Sequence, residues 1–134
     1  MFSPSVDNLV AQLTGCAAIG CYEGRVYRML PGTGHYDSWH SDVGQDRLVA
    51  MSVNLGREPF DGGVLQIRRA DSPDILAEVE NRVVGDAVIF RVDPAYRHRV
   101  GPLRGSGSRT AYAGWFRAQP DYRVLLRERL SATS

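Results

Sequence analysis

Residues 34–42 read Gly-His-Tyr-Asp-Ser-Trp-His-Ser-Asp, and the rest of the chain can be interpreted outward from them. His40 and Asp42 stand two positions apart, and residues i and i+2 of an extended strand project from the same face. An imidazole and a carboxylate would therefore converge on one point beside a sheet. Two histidines and one carboxylate form the facial triad that holds iron(II) and leaves coordination positions open for oxygen chemistry. His40 and Asp42 would supply two of these ligands, and the third must come from elsewhere in the chain.

The composition predicts a single globular domain that is rich in turns. The chain has 134 residues, of which 43% are hydrophobic and 23% charged, with 14 glycines and 7 prolines. One domain spanning residues 1–134 is expected at this length. A formal net charge of +1 gives no broad footprint for nucleic acid. No apolar run approaches a membrane span, and the N-terminus lacks the features of a secretory signal, so a cytoplasmic protein is expected. Cys16 and Cys21 are accordingly predicted to be reduced thiols.

Short apolar segments between glycine- and proline-rich turns predict about eight strands at roughly 8–12-residue spacing, which favours a sandwich or barrel. The predicted strands are 17–21, 25–30, the segment around His40 and Asp42, 47–55, 64–68, 75–84 with a bend near Asn81, 87–90, 96–100 and 109–117. The continuous apolar run 87–90 predicts a central strand covered on both faces. Short helices are predicted at the two ends, over 3–13 and from Pro120 onward.

His98 is the candidate third ligand. It lies 56 residues after Asp42, between Arg97 and Arg99. Neighbours on a strand face opposite ways and charged side chains favour water, so His98 is expected to point inward. For an isolated histidine, the alternative of a packed or surface residue that binds nothing would be favoured.

Arg109 follows His98 by eleven residues and shares a strand face with Ala111, Ala113 and Trp115. An inward arginine above two alanines is unusual in a hydrophobic core. It is reasonable if the alanines leave room for a small ligand whose carboxylate the guanidinium binds through two hydrogen bonds. The alternative is a buried arginine–aspartate pair.

Together these segments resemble the 2-oxoglutarate- and iron(II)-dependent oxygenases, and within them the prolyl 4-hydroxylase-like branch. The resemblance rests on the order and spacing of His40-x-Asp42, Phe60-Asp-Gly-Gly63, Gly85-Asp-Ala-Val-Ile-Phe90, His98-Arg-Val100, and Arg109 with Trp115. It covers roughly residues 25–117. The fold it implies is mainly β, a double-stranded β-helix (jelly roll, cupin-like), which agrees with the strand count.

The resemblance also implies the site and its chemistry. The triad would hold Fe(II), Arg109 would bind the distal carboxylate of 2-oxoglutarate, and O2 would be the other co-substrate. Further cofactor contacts are expected from Tyr27, Tyr36 and Trp115. The family releases succinate and CO2 and hydroxylates an unactivated C–H bond. A tyrosine common in this branch is replaced here by Met29 or Leu30, and Tyr27 is available in its place.

Several functions stay open at this point. The short N-terminal segment and the absence of a long lid insertion favour a hydroxylase of a peptide or protein side chain such as proline. A hydroxylase of a free amino acid or small natural-product intermediate is the rival. A nucleic-acid demethylase is disfavoured, because Trp115 stands where that branch has a second arginine, and Asp42 disfavours a halogenase. A non-catalytic jelly-roll binding module is the remaining alternative. Exposed sheet edges leave a homodimer open.

Overall fold

The structure is a computed structural model that describes residues 4–33, 38–119 and 122–133, and β-strands make up most of its regular structure. The elements in chain order are α1 (Pro4–Thr14), β1 (Cys21–Met29), β2 (Arg47–Asn54), β3 (Asp61–Gly62), β4 (Leu65–Arg69), β5 (Ile75–Val79), β6 (Ala87–Arg91), β7 (Tyr96–Val100), β8 (Leu103–Arg104), β9 (Arg109–Arg117) and α2 (Tyr122–Ala132).

The nine described strands form three antiparallel sheets. The four-stranded sheet has the order β1-β9-β2-β6, the three-stranded sheet has the order β5-β4-β7, and β3 pairs with β8. Strand β9 is central and pairs along its length with both β1 and β2. Its inward row, which includes Arg109 and Trp115, faces a cavity whose other wall includes Leu65 and Val100 of the three-stranded sheet. The two larger sheets therefore enclose the space in which a site can form.

The outer face of the four-stranded sheet carries the apolar core. Val49, Met51 and Phe116 of the sheet pack with Val10 of α1 into one buried cluster. The side chains of β2 alternate in direction, so that Val49 and Met51 face this cluster while Ser52 faces the cavity. Since successive residues of a strand point to opposite faces, one strand supplies both the core and the cavity wall.

The run 87–90 is not the central strand that its apolar sequence predicts. Among the described strands, β6 pairs only with β2 and lies at the edge of its sheet. Its two faces are only partly covered: Val88 and Phe90 line the cavity, Ile89 packs against the buried cluster, and no residue of the strand is fully buried. An apolar run therefore determines neither the position of a strand in its sheet nor how completely the strand is covered.

Two other strand predictions need correction. The predicted strand 17–21 is not formed as a separate element. Residues 17–20 are irregular, and β1 runs from Cys21 through most of the predicted strand 25–30, because its partner β9 ends at Arg117. Strand β5 ends at Val79, before the predicted bend at Asn81, where φ is +46°.

The two predicted helices are present at the ends of the described chain. On α2, Leu126 and Leu130 are 41% and 69% exposed, so that part of its apolar stripe is open to solvent. Neither helix has the length and apolar content that a bilayer crossing requires, as far as the described residues go. Cys16 and Cys21 are half-buried and are not joined in a disulfide.

Gly114 sets the close approach of β1 and β9. A Cβ placed there would lie 2.0 Å from the Glu23 carbonyl oxygen and 2.5 Å from the Gly24 Cα, both of them backbone atoms that cannot rotate away. We expect Gly114→Ala to lower the free energy of unfolding by about 1–3 kcal/mol, in the range of overpacked sites. Thermal unfolding should show a fall of several degrees. The control is Gly101→Ala, whose Cβ would meet its nearest atom at 3.9 Å. Equal melting temperatures for the two variants would contradict this reading of the strand pair.

Candidate metal centre

His40, Asp42 and His98 come together although 56 residues separate the last two. Atoms able to bind a metal, one from each side chain, lie within 4.8 Å of one another. His40 and His98 form an isolated antiparallel bridge, in which each N–H donates to the other residue's carbonyl at 3.0 and 2.9 Å. Side chains of directly opposed residues share a face, and the two imidazole centroids are 4.3 Å apart. Beyond this bridge, residues 41–44 are irregular, so the predicted strand around His40 and Asp42 is reduced to one pair.

A backbone contact also orients the His40 ring. Its Nδ1 lies 2.5 Å from the Ser38 carbonyl oxygen. A carbonyl can only accept a hydrogen bond, so Nδ1 donates to it, and Nε2 is the ring nitrogen left for a metal ion. That Nε2 lies 3.5 Å from Asp42 Oδ1, and His98 Nε2 lies 3.1 Å from Asp42 Oδ2. The two Nε2 atoms and the carboxylate thus face one another, as metal ligands do.

The Asp42 carboxyl group is kept in its charged form. Burial by itself would raise its pKa, but the hydrogen bond from His98, the nearby indole N–H of Trp115 and the charges of the two histidines together hold the pKa of Asp42 below its usual range. The side chain is 14% exposed. An anion with two imidazole nitrogens beside it is the donor set that suits Fe(II), so the residues present fit such an ion.

Arg109 is buried, 4% exposed, and held on both arms of its guanidinium. Nη1 donates to the Tyr27 hydroxyl at 3.1 Å and lies 3.7 Å from Met29 Sδ, and Nη2 donates to Ser52 Oγ at 3.0 Å. Its buried Nε has no hydrogen-bond partner among the described residues. Within the described part of the chain, no carboxylate pairs with it, so the alternative of a buried arginine–aspartate pair is not found. A buried cation without a counter-charge is costly, and an anionic ligand would relieve that cost.

One cavity joins the triad to Arg109. It has a volume of about 800 Å³ and lies between the two larger sheets. Six of the seven site residues predicted from the sequence line it: His40, Asp42, His98, Arg109, Tyr27 and Trp115. The seventh, Tyr36, lies outside the described residues. The cavity, which is partly open to solvent, therefore brings together a candidate metal centre and a cation that no described carboxylate neutralises.

The family model of the 2OG-Fe(II) oxygenase superfamily matches residues 24–117. The chain belongs to this superfamily. Its members are oxidoreductases that use Fe(II), 2-oxoglutarate and O2, and the His40–Asp42–His98 cluster could bind the iron.

Solved structures of other oxygenases share the fold. A Pseudomonas putida prolyl-4-hydroxylase is 26% identical with a TM-score of 0.65, and the match covers 87% of this chain and 62% of that one. A 2OG-Fe(II) oxygenase family oxidoreductase from Burkholderia pseudomallei is 19% identical with a TM-score of 0.65, and the match covers 90% of this chain and 56% of that one. A Trichoplax adhaerens prolyl hydroxylase, in complex with a hypoxia inducible factor oxygen degradation domain peptide fragment, is 21% identical with a TM-score of 0.57, and the match covers 84% of this chain and 53% of that one.

These similarities confirm the predicted double-stranded β-helix. This oxygenase chain spans between 53% and 62% of the length of the three chains it matches. Comparison with curated protein sequences gives no significant match.

The oxygenase cavity also includes polar residues outside the predicted set of site residues. Ser52 reaches Arg109, Asn81 donates to the Ser52 carbonyl from the turn after β5, and Glu23 and Arg25 lie on β1. Glu23 and Arg25 could have been predicted from the alternation of side chains along a strand, because they stand four and two positions before Tyr27 and therefore share its face. Asn81 depends on a turn that follows an irregular strand end, and no local pattern predicts it.

Proposed function

We propose that this chain is the catalytic jelly-roll domain of a 2-oxoglutarate- and Fe(II)-dependent dioxygenase. In it, His40, Asp42 and His98 hold the iron and Arg109 binds the distal carboxylate of 2-oxoglutarate. The single observation that carries the proposal is the shared cavity. It contains two histidines and a charged carboxylate within ligand distance of one another, and a buried guanidinium that no described carboxylate neutralises.

When bound, the iron and 2-oxoglutarate would supply O2 activation, decarboxylation to succinate and CO2, and hydroxylation of a C–H bond. The chain's own residues position the parts. Tyr27 and Ser52 hold the Arg109 fork, so its orientation is fixed before a ligand arrives. The Ser38 carbonyl orients the His40 ring, and the Phe90 ring packs edge-on against His98 at 4.7 Å. Apolar side chains such as Val88 and Leu65 keep water from part of the cavity wall.

The proposed substrate is a peptide or protein side chain, with proline as the first candidate. A volume of about 800 Å³ is larger than a five-carbon keto acid requires, which leaves room for a second molecule. Two of the structural relatives are prolyl hydroxylases, and one of them was solved with a peptide. A free amino acid or small natural-product intermediate is the alternative, and a non-catalytic binding module would consume no co-substrate.

Anaerobic addition of Fe(II) and 2-oxoglutarate tests the proposal directly. A weak visible absorption band is expected when both are present and not when either is omitted. On admission of O2, succinate should form slowly without substrate, and faster with a proline peptide or a free amino acid that is a substrate. His40→Ala should abolish both the band and the succinate. Absence of the band together with absence of succinate in the unsubstituted protein would reject the dioxygenase assignment.

A further inference from the structure

Strand β1 presents a row of polar side chains to the cavity. Glu23, Arg25 and Tyr27 alternate along the strand and all line the cavity. In the pairing with β9, Arg25 stands opposite Ala113 and Tyr27 opposite Ala111. Directly opposed residues share a face, so Arg25 points to the same side as the inward row of β9. The small Ala113 leaves the space beside the Arg25 guanidinium open.

Among the described residues, the Arg25 side chain has no partner. Its side chain is exposed, and it makes no hydrogen bond or ion pair with any residue in the described ranges. Glu23, two positions away, is already engaged by Arg117 Nη1 at 2.7 Å. A guanidinium offers five N–H donors and no acceptor, so a ligand for it must supply acceptors and is favoured when negatively charged.

The position of Arg25 separates it from the co-substrate clamp. Tyr27 marks the Arg109 end of the cavity, because its hydroxyl accepts from Arg109. Glu23 stands opposite Trp115, whose indole lies beside Asp42 and so marks the metal end. Arg25 lies between these two levels on the outermost strand of its sheet, about 7 Å along β1 from Tyr27. The anionic ends of 2-oxoglutarate are assigned to Arg109 and the metal, which leaves Arg25 for another ligand.

We propose that Arg25 binds a carboxylate of the substrate, and that the oxygenase therefore selects substrates with an acidic group near the hydroxylated carbon. This rests on the proposed function. The carboxylate could belong to an acidic residue of a peptide or to a free amino acid, and the recognition chemistry is the same. Inward charges on edge strands also prevent edge-to-edge pairing, but that role needs no ligand and predicts no substrate preference.

Matched probes test the proposal in the full chain with Fe(II), saturating 2-oxoglutarate and O2. The peptide arm uses acetylated, amidated peptides of one length in which Glu, Gln or Lys flanks proline. The free arm compares L-proline with L-prolinamide. We expect an acidic probe to exceed its neutral match in kcat/KM by about two- to fivefold, the order of one solvent-exposed ion pair. The preference should shrink as ionic strength rises, because the pair is exposed to solvent.

Arg25→Gln should remove that preference by raising the KM for the acidic probe, while the KM for 2-oxoglutarate does not rise. Arg57→Gln is the matched control, since Arg57 is an exposed arginine outside the cavity lining. A preference in the peptide arm identifies an acidic peptide, and one in the free arm identifies an amino acid.

The proposal would be overturned if neither arm showed a preference for the acidic probe, which includes the case in which no probe is turned over. It would also be overturned if the preference persisted in Arg25→Gln. Failure of the proposed function is seen separately, as absence of succinate and of the absorption band in the unsubstituted protein.

Discussion

Asp42→Ala is expected to reduce succinate formation by more than about a hundredfold and to weaken Fe(II) binding to a similar degree. Loss of an outer-shell partner of a metal ligand already costs 10–100-fold in affinity or activity, and Asp42 is proposed as a ligand itself. It is also the one anion of the cluster, held ionised between His40 and His98. Its removal leaves two imidazoles, which keep less affinity for a hard divalent ion. Metal binding is measured by titration under anaerobic conditions, and turnover by succinate release.

The control for this variant is Asp74→Asn. Asp74 is an exposed carboxylate in the turn before β5, outside the cavity lining. Both variants should keep the far-ultraviolet circular dichroism of the parent, because Asp42 bonds within the cluster and holds no strand in place. Folded Asp42→Ala that retained a tenth of the parental turnover would show that the carboxylate is not a ligand.

Much of the site was predictable because the pleat imposes a period of two. Arg97 and Arg99 predicted an inward His98, and His98 does face the cavity. The same rule predicted that Arg109 and Trp115 share a face. These predictions need only the local backbone, since alternation holds along any strand whatever its partner. The prediction that the His40 and Asp42 side chains lie close together agrees with the structure, although the expected strand is reduced to a single bridge between His40 and His98.

What the sequence could not supply depends on pairing between distant segments. Whether 87–90 lies at a centre or an edge is decided by which strand arrives beside it, and the apolar run is compatible with both. The start of β1 is set by the end of β9, 96 residues later in the chain, through the pairing of Cys21 with Arg117. Ser52 could face core or cavity by its own pattern, and its bond to Arg109 appears only when β2 and β9 are paired.

Arg109→Ala is expected to raise the apparent Kd for 2-oxoglutarate by about a hundredfold or more. A carboxylate held by two charge-assisted hydrogen bonds loses both, each worth about 1.5–3 kcal/mol, and 1.4 kcal/mol corresponds to a factor of ten. The absorption band of the iron–keto-acid complex should vanish at low 2-oxoglutarate and return at high concentration. A band that forms at the parental concentration would contradict the assignment of Arg109.

Two graded variants separate charge from geometry at this position. Arg109→Lys keeps the charge but loses the planar fork, so its Kd should lie between those of the parent and Arg109→Ala. Tyr27→Phe removes the hydroxyl that accepts from Nη1 and should weaken binding only about three- to tenfold, the value of one neutral hydrogen bond. Equal effects of all three variants would indicate a folding defect and not a lost ligand contact.

Stability provides the sharpest distinction between a ligand-binding arginine and a structural one. A structural buried ion pair loses several kcal/mol when one partner is removed, but no described carboxylate pairs with Arg109. Arg109→Met, which fills similar volume without charge, should therefore leave the melting temperature of the metal-free protein unchanged or higher. At a 2-oxoglutarate concentration of 100 Kd the parent gains about 2.7 kcal/mol, whereas a variant with hundredfold weaker binding gains roughly 0.4 kcal/mol. If the Arg109 guanidinium instead stabilised the ligand-free protein, Arg109→Met would melt at a lower temperature than the parent before any ligand is added.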